Sequence, residues 1–189
     1  MDKQEVIDAE AKYILHTYTR PDFVLDHGEG VYLFDTDGNQ YIDCMAGIAV
    51  NALGYGNEAV VDAVTTQARK IIHCSNLYHT EPHVRLAQVL VENSFAKKVF
   101  FCNSGTEANE ACLKFSRAYA KHNYPDNPDK YEIVAFHGSF HGRTMGSLSV
   151  TYKEKYRLPF EPLVPGVKFA DFNDIESAKD AISGNTCAV

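Results

Sequence analysis

Two hydrophobic periods take turns along the chain. Residues 2–16 place Val6, Ala9, Tyr13 and Leu15 at near-helical spacing and predict a helix. The period then shortens. Phe23-Val24-Leu25, Val31-Tyr32-Leu33-Phe34 and Tyr41-Ile42-Asp43 are strand-like runs, with Gly28-Glu29-Gly30 and Asp37-Gly38-Asn39 as turns, which predicts a small antiparallel meander. From residue 57 onward helix and strand alternate. Residues 57–72 and 81–93 predict helices, and Val99-Phe100-Phe101-Cys102 predicts a short apolar strand. A helix over about Thr106 to Lys121 would carry Ala108, Ala111, Cys112, Phe115 and Ala118 on one side. Ile133-Val134-Ala135-Phe136 and Val167-Lys168-Phe169 predict two more strands. Asp174 is placed to cap a helix over about 175–183, and Thr186 to Val189 opens a further strand. Such alternation predicts an α/β fold whose mainly parallel sheet has helices on its faces. The expected division is an N-terminal helix and meander over 1–56, followed over 57–189 by the first part of a larger α/β domain. Parallel sheets are normally covered on both faces, so a strand that opens at Thr186 and stops at Val189 predicts a domain truncated at its C-terminus. Its uncovered edge predicts poor solubility in isolation.

Composition narrows the classes. With 45% apolar and 23% charged residues, the 189-residue chain is ordinary globular material, which excludes disorder, collagen and coiled coil. Asp and Glu outnumber Lys and Arg by 25 to 18, and the net charge of −7 argues against a nucleic-acid partner. No apolar run approaches the roughly 20 residues of a membrane span. Met1-Asp2-Lys3-Gln4-Glu5 has the shape of neither a secretion signal nor a transit peptide. The expected compartment is the bacterial cytoplasm, or the mitochondrial matrix or plastid stroma of a eukaryote with the presequence absent from this chain. The five cysteines are odd in number and form no CxxC, so neither a disulfide framework nor a thiolate zinc site is expected. His79 and His83 have the spacing of a zinc pair, but Pro82 lies between them and the pattern is not H-E-x-x-H; they read as helix-start histidines, and no metal site is expected.

Two motifs carry chemistry. Asn103-Ser104-Gly105-Thr106-Glu107-Ala108-Asn109 lies between an apolar run and an amphipathic helix. A helix N-terminus offers free N–H groups and partial positive charge, Gly105 lets the backbone come close, and Ser104 and Thr106 add hydroxyls, which together suit a phosphate. Alone, the motif would read as an ordinary Ser/Thr cap. The second, His137-Gly138-Ser139-Phe140-His141-Gly142-Arg143-Thr144, follows a predicted strand, where ligands collect in open α/β sheets. A planar ring could stack on Phe140, and the Arg143 fork matches a carboxylate. Taken singly, Phe140 would be core, Arg143 a surface ion-pair partner and His141 a hydrogen-bonded turn residue. One after the other, the motifs describe a site for a planar phosphorylated cofactor and a carboxylate substrate. Pyridoxal phosphate with an amino acid fits; a nucleotide fits less well, because neither G-x-G-x-x-G nor the P-loop pattern occurs.

Nearly the whole chain resembles the N-terminal part of class III, subgroup II, pyridoxal-phosphate-dependent aminotransferases. The resemblance rests on Gly38-x-x-Tyr41-Ile42-Asp43, on Gly47 through Gly54, on Asn103 to Glu110, on Phe140 to Thr144 and on Pro162-Leu163-x-Pro165-Gly166. It implies the large domain of fold-type-I enzymes and pyridoxal 5'-phosphate as cofactor. It implies that Ser104, Gly105 and Thr106 hold the cofactor phosphate and that Phe140 stacks on the pyridine, with His141 beside it. Arg143 would bind a substrate carboxylate. It also implies a homodimer. His141 where a related branch carries Trp, and Gly47 where that branch carries Tyr, favour N-acetylornithine over ornithine as amino donor to 2-oxoglutarate, yielding glutamate, in arginine biosynthesis. Ornithine, succinylornithine and 4-aminobutyrate remain alternative donors, and a non-catalytic phosphate-binding short chain remains the alternative of another class. Tyr55 stands where His is usual and is expected to be tolerated packing. The family's Schiff-base lysine falls beyond residue 189, so no catalytic residue is expected within this chain.

Overall fold

The computed structural model describes residues 1–189, which fall into two compact units, Met1–Thr80 and Glu81–Val189.

In the first unit, helix α1 (Lys3–Tyr13) starts at a reciprocal cap. The Asp2 carboxylate accepts from Glu5 N at 2.8 Å and Glu5 accepts from Asp2 N at 2.9 Å. The antiparallel meander forms as expected from β1 (Leu25–Glu29), β2 (Tyr32–Asp35) and β3 (Gln40–Ile42), in the order β1-β2-β3. Its first strand is shifted toward the C-terminus relative to the pattern. Gly28 pairs with Leu33 inside the ladder, and the two-residue turn is Gly30-Val31. Pairing register, rather than the cluster of glycines, sets that boundary. The second turn is organised by Asp35, only 4% exposed, whose carboxylate accepts from Asp37 N at 3.0 Å, Asn39 N at 2.8 Å, Asn39 Nδ2 at 2.9 Å and the Tyr41 hydroxyl at 2.8 Å. Tyr55 does more than pack: its hydroxyl donates to the Asp43 carboxylate at 2.5 Å. The short turn α2 (Ala46–Ala49) is left-handed, with positive φ at Ala46, Gly47, Ile48 and Ala49, a conformation that costs non-glycine residues roughly 1–2 kcal/mol each. Helix α3 (Glu58–Lys70) is capped by the Asn57 side chain.

The second unit is an α/β layer. It comprises α4 (Glu81–Glu92), α5 (Gly105–Asn123), β4 (Glu132–Phe136), α6 (Met145–Ser149), α7 (Glu154–Arg157), a 3₁₀ turn (Leu158–Phe160), β5 (Val167–Ala170), α8 (Ile175–Ala181) and β6 (Thr186–Ala188). The sheet order is β5-β4-β6 and both pairings are parallel, the α/β architecture that the alternation predicts. Central β4 is buried on both faces, which is why its run is continuously apolar. Ile133 and Ala135 pack with Val150, Leu113 and Phe169, whereas Val134, 2% exposed, packs with Ala170 and Ala178. Asp174 caps α8 as expected, accepting from Glu176 N at 3.0 Å and Ser177 N at 3.1 Å. One expectation fails: residues 99–102 form no strand. A run of apolar residues becomes a strand only by pairing, and this segment has no ladder partner in the chain.

Candidate functional site

Helix α5 begins where the first motif placed it. Ser104 is its N-cap, and the Ser104 hydroxyl accepts from Glu107 N at 3.2 Å. Asn103 N donates to the Glu107 carboxylate at 2.7 Å. Gly105 and Thr106 occupy the first two helical positions, whose amides have no intrahelical acceptor. Space is open where a Cβ on Gly105 would stand, so this end of the helix can be approached.

The second motif lies against the same end of α5. The Thr106 and Thr144 hydroxyls are hydrogen-bonded at 2.9 Å, Asn109 Nδ2 donates to the His141 carbonyl at 2.9 Å, and the Ser147 hydroxyl donates to the Thr106 carbonyl at 2.8 Å. The approach is so close that a Cβ on Gly142 would overlap the Thr106 side chain; Gly142 also has φ 136°, a conformation that favours glycine. Ser104, Gly105, Thr106, His141 and Arg143, 35 or more positions apart between the two motifs, are therefore brought to one end of one helix.

Within the loop the side chains differ in freedom. His141 is half-buried and fixed: its backbone N donates to Thr151 Oγ1 at 2.9 Å, and its Nδ1 lies 2.8 Å from the Val150 carbonyl, so that nitrogen carries the proton. Phe140 is 62% exposed, not core. Arg143 is exposed and enters none of the chain's ion pairs. Its guanidinium carbon sits 3.9 Å from the Tyr156 ring centroid and 5.7 Å from that of Phe140. Such a cation–π contact orients the group without consuming its hydrogen-bond donors.

A cavity of about 790 Å³ stands apart from most of these residues. It lies between α5 (Asn109, Cys112, Leu113) and β4, open toward Ala188 and Val189 on the β6 edge, and of the six expected site residues only His141 lines it. Its apolar walls mark a gap between helix and edge strand rather than a centre of chemistry. His137, at the end of β4, pairs with Asp171 at 2.6 Å and lies against Tyr152.

Sequence reasoning missed Tyr156 and Glu110. Tyr156 carries no local signal, because its role depends on how α6 and α7 turn the chain back. Glu110 could have been suspected from its position four residues after Thr106, on the same face of the helix.

The model of the family "Aminotransferase class-III" matches residues 13–188. The chain belongs to the class-III aminotransferases. Among relatives of this class-III chain, the mitochondrial acetylornithine aminotransferase of Debaryomyces hansenii is 51% identical over 94% of this chain and 39% of its own length. The acetylornithine aminotransferase of Archaeoglobus fulgidus is 48% identical over 97% of this chain and 47% of its own. The succinylornithine transaminase of Yersinia enterocolitica is likewise 48% identical, over 94% of this chain and 44% of its own length. The chain thus spans less than half the length of these relatives. Among solved structures, ornithine aminotransferase from Toxoplasma gondii superposes with a TM-score of 0.91 at 23% identity, over 99% of this chain and 44% of that one, which shows the same fold. The omega transaminase from Pseudomonas jessenii in complex with PMP superposes at 0.77, with 30% identity over 87% of this chain and 38% of that one. No helix of this class-III chain is long and apolar enough to cross a membrane.

Proposed function

We propose that this chain is part of a pyridoxal 5'-phosphate-dependent transaminase that moves the δ-amino group of N-acetylornithine to 2-oxoglutarate, giving N-acetylglutamate semialdehyde and glutamate. The observation that carries the reading is Arg143: an exposed guanidinium, paired with no carboxylate and oriented by Tyr156, one loop away from the free amides of α5. The residues present fit the cofactor. A phosphate dianion would take the Gly105 and Thr106 amides, with the Ser104 and Thr106 hydroxyls beside them, in the open space at Gly105. The exposed Phe140 ring offers a face to the pyridine. His141, locked by Val150 and Thr151, would stand beside the ring. When bound, the cofactor supplies the electron sink for moving the amino group. The chain's own part is to hold it and to orient the substrate. Arg143 would pair with a substrate carboxylate and so point the amine inward.

N-acetylornithine is favoured as donor by the relatives at 48–51% identity that bear that activity in their names. Succinylornithine is the second reading, because a relative of equal identity carries that one. We further propose a homodimer, and the cytoplasm or an organelle matrix as compartment, since relatives include mitochondrial enzymes.

The test is steady-state kinetics of the full-length Arg143→Lys enzyme with N-acetylornithine, N-succinylornithine and 2-oxoglutarate. Breaking a desolvated carboxylate pair costs about 2–5 kcal/mol, so kcat/KM should fall roughly 30- to several-thousand-fold. Lysine lacks the planar fork and should rescue little. Values within about threefold of the parent, under 1 kcal/mol, would remove Arg143 as the carboxylate clamp. The acyl donor with the higher kcat/KM in the parent enzyme decides between the two readings.

A further inference from the structure

Arg143 is set on a loop, yet its clamp must hold a carboxylate within a fraction of an ångström. What fixes the loop is visible immediately after it. Thr144 is the N-cap of α6, but it makes no capping hydrogen bond, because its hydroxyl is engaged with Thr106. The first-turn amides of α6 are taken by a residue of another helix. Glu110 Oε1 accepts from Gly146 N at 2.8 Å and from Ser147 N at 3.2 Å. A carboxylate at a helix N-terminus satisfies orphan donors and complements their partial charge. The fit is close: a Cβ on Gly146 would overlap the Glu110 carboxylate, so any larger residue there must push that side chain off the amides. Burial pushes the Glu110 pKa up, but hydrogen bonds from Thr144 and from the Ser147 and Gly146 amides, with Lys114 nearby, outweigh it, and the group stays ionised below the ordinary glutamate range. Glu110 sits one turn after Thr106 on α5. The helix that presents the phosphate-binding end therefore also grips the loop that carries Arg143.

We propose that Glu110 is a positioning residue for the substrate carboxylate: by capping α6 from α5 it fixes Arg143 relative to Thr106. The proposal rests on the reading of Arg143 given above.

The decisive comparison is between Glu110→Gln and Glu110→Asp in the full-length holoenzyme. Gln keeps the length, and its carbonyl oxygen can accept both amides; Asp keeps the charge but withdraws it by a methylene. A misplacement of about 1 Å can cost up to on the order of a hundredfold. E110D should raise KM for N-acetylornithine and for 2-oxoglutarate by roughly tenfold or more, with kcat changed less than about threefold and the cofactor absorbance band unmoved, the pattern of lost substrate binding. E110Q should stay within about threefold of the parent. Amide hydrogen exchange across residues 140–147 should quicken in E110D and not in E110Q. Because Glu110 acts through Arg143, E110D combined with R143K should be no more than about threefold worse than R143K alone. If E110D yields no soluble enzyme, Gly146→Ala, which drives a methyl against the same carboxylate, is held to the same criteria. Unchanged KM values in E110D, an E110Q as impaired as E110D, or losses that multiply in the double variant would overturn the proposal while leaving the clamp intact. A harmless R143K would instead remove the clamp and, with it, the coupling.

Discussion

At the scale of single residues, the hydroxyl of Thr106 meets that of Thr144, and in the proposed function it would also meet the cofactor phosphate. A hydrogen bond to a charged group is worth about 1.5–3 kcal/mol. Thr106→Ala in the full-length apo-enzyme should therefore weaken pyridoxal phosphate binding roughly ten- to 150-fold in an absorbance titration, and Thr106→Ser should recover most of the loss. Equal affinity in all three would place the phosphate elsewhere. Ser104 was legible in sequence because a cap announces itself locally, by a hydroxyl residue followed three positions later by Glu107. Tyr156 was not, since the ring that supports Arg143 stands thirteen positions away and reaches it only through the path of α6 and α7. Phe140 shows how a single residue can mislead: an aromatic beside an apolar strand reads as core, yet it lies mostly in solvent.

At the scale of elements, the meander turn hangs on one carboxylate. The Asn39 side chain donating to Asp35, aided by the Asn39 amide, Tyr41 and the Asp37 amide against the opposing effect of burial, lowers the Asp35 pKa from 3.8 to about 2. A folded pKa below the unfolded one means stabilisation that is present above the unfolded value and lost as pH falls through the folded one. Protection of the β1–β3 amides from hydrogen exchange should therefore decline between about pH 4 and pH 2. In Asp35→Asn, which cannot titrate, that step should vanish; a step of equal size in the variant would assign it to another group. Helices were the elements best read from sequence, because caps at Asn57, Ser104 and Asp174 mark their starts. The failed strand at 99–102 and the unforeseen left-handed turn α2 both depend on groups outside the run itself. A strand needs a partner that Val99-Phe100-Phe101-Cys102 does not itself contain, and the turn at Ala46-Gly47-Ile48-Ala49 is fixed by flanking groups, the Asp43 carboxylate on the Met45 and Ala46 amides among them, rather than by its own apolar pattern.

At the scale of the whole chain, surface is the telling quantity. Two compact domains of the sizes of the two units would expose about 11,000 Å² together, by the usual scaling of area with mass. The chain exposes 14693 Å². Much of the difference is apolar: Val60, Val61 and Val64 on α3, Val84, Leu86 and Val89 on α4, and Phe115 on α5 are all exposed, although their spacing marks them as buried helix faces. The 189-residue chain prepared by itself should therefore bind a hydrophobic dye such as ANS and sediment as concentration-dependent assemblies. A monodisperse monomer without dye binding in sedimentation velocity would contradict this. The same comparison explains why a parallel sheet was legible while the burial pattern of the helices was not. Periodicity tells which face is apolar, and it says nothing of what covers that face.

The glycines that let α5 meet the segment after β4 have a consequence for how such a protein can vary. Gly142 is pressed on Thr106 and Gly146 on Glu110, one turn apart along the same helix, like two studs in matching sockets. Gly142 is held twice over, by the Thr106 side chain and by its own φ of 136°, so a larger residue there should fail even with a smaller one at 106, whereas one at 146 should be tolerated best together with a smaller one at 110. Phe140 is exposed and the Arg143 guanidinium rests on the Tyr156 ring, and none of the three is met by a Cβ on either glycine. A library at Phe140 and Tyr156 that keeps Arg143 should therefore hold its fold where one built on the glycines loses it.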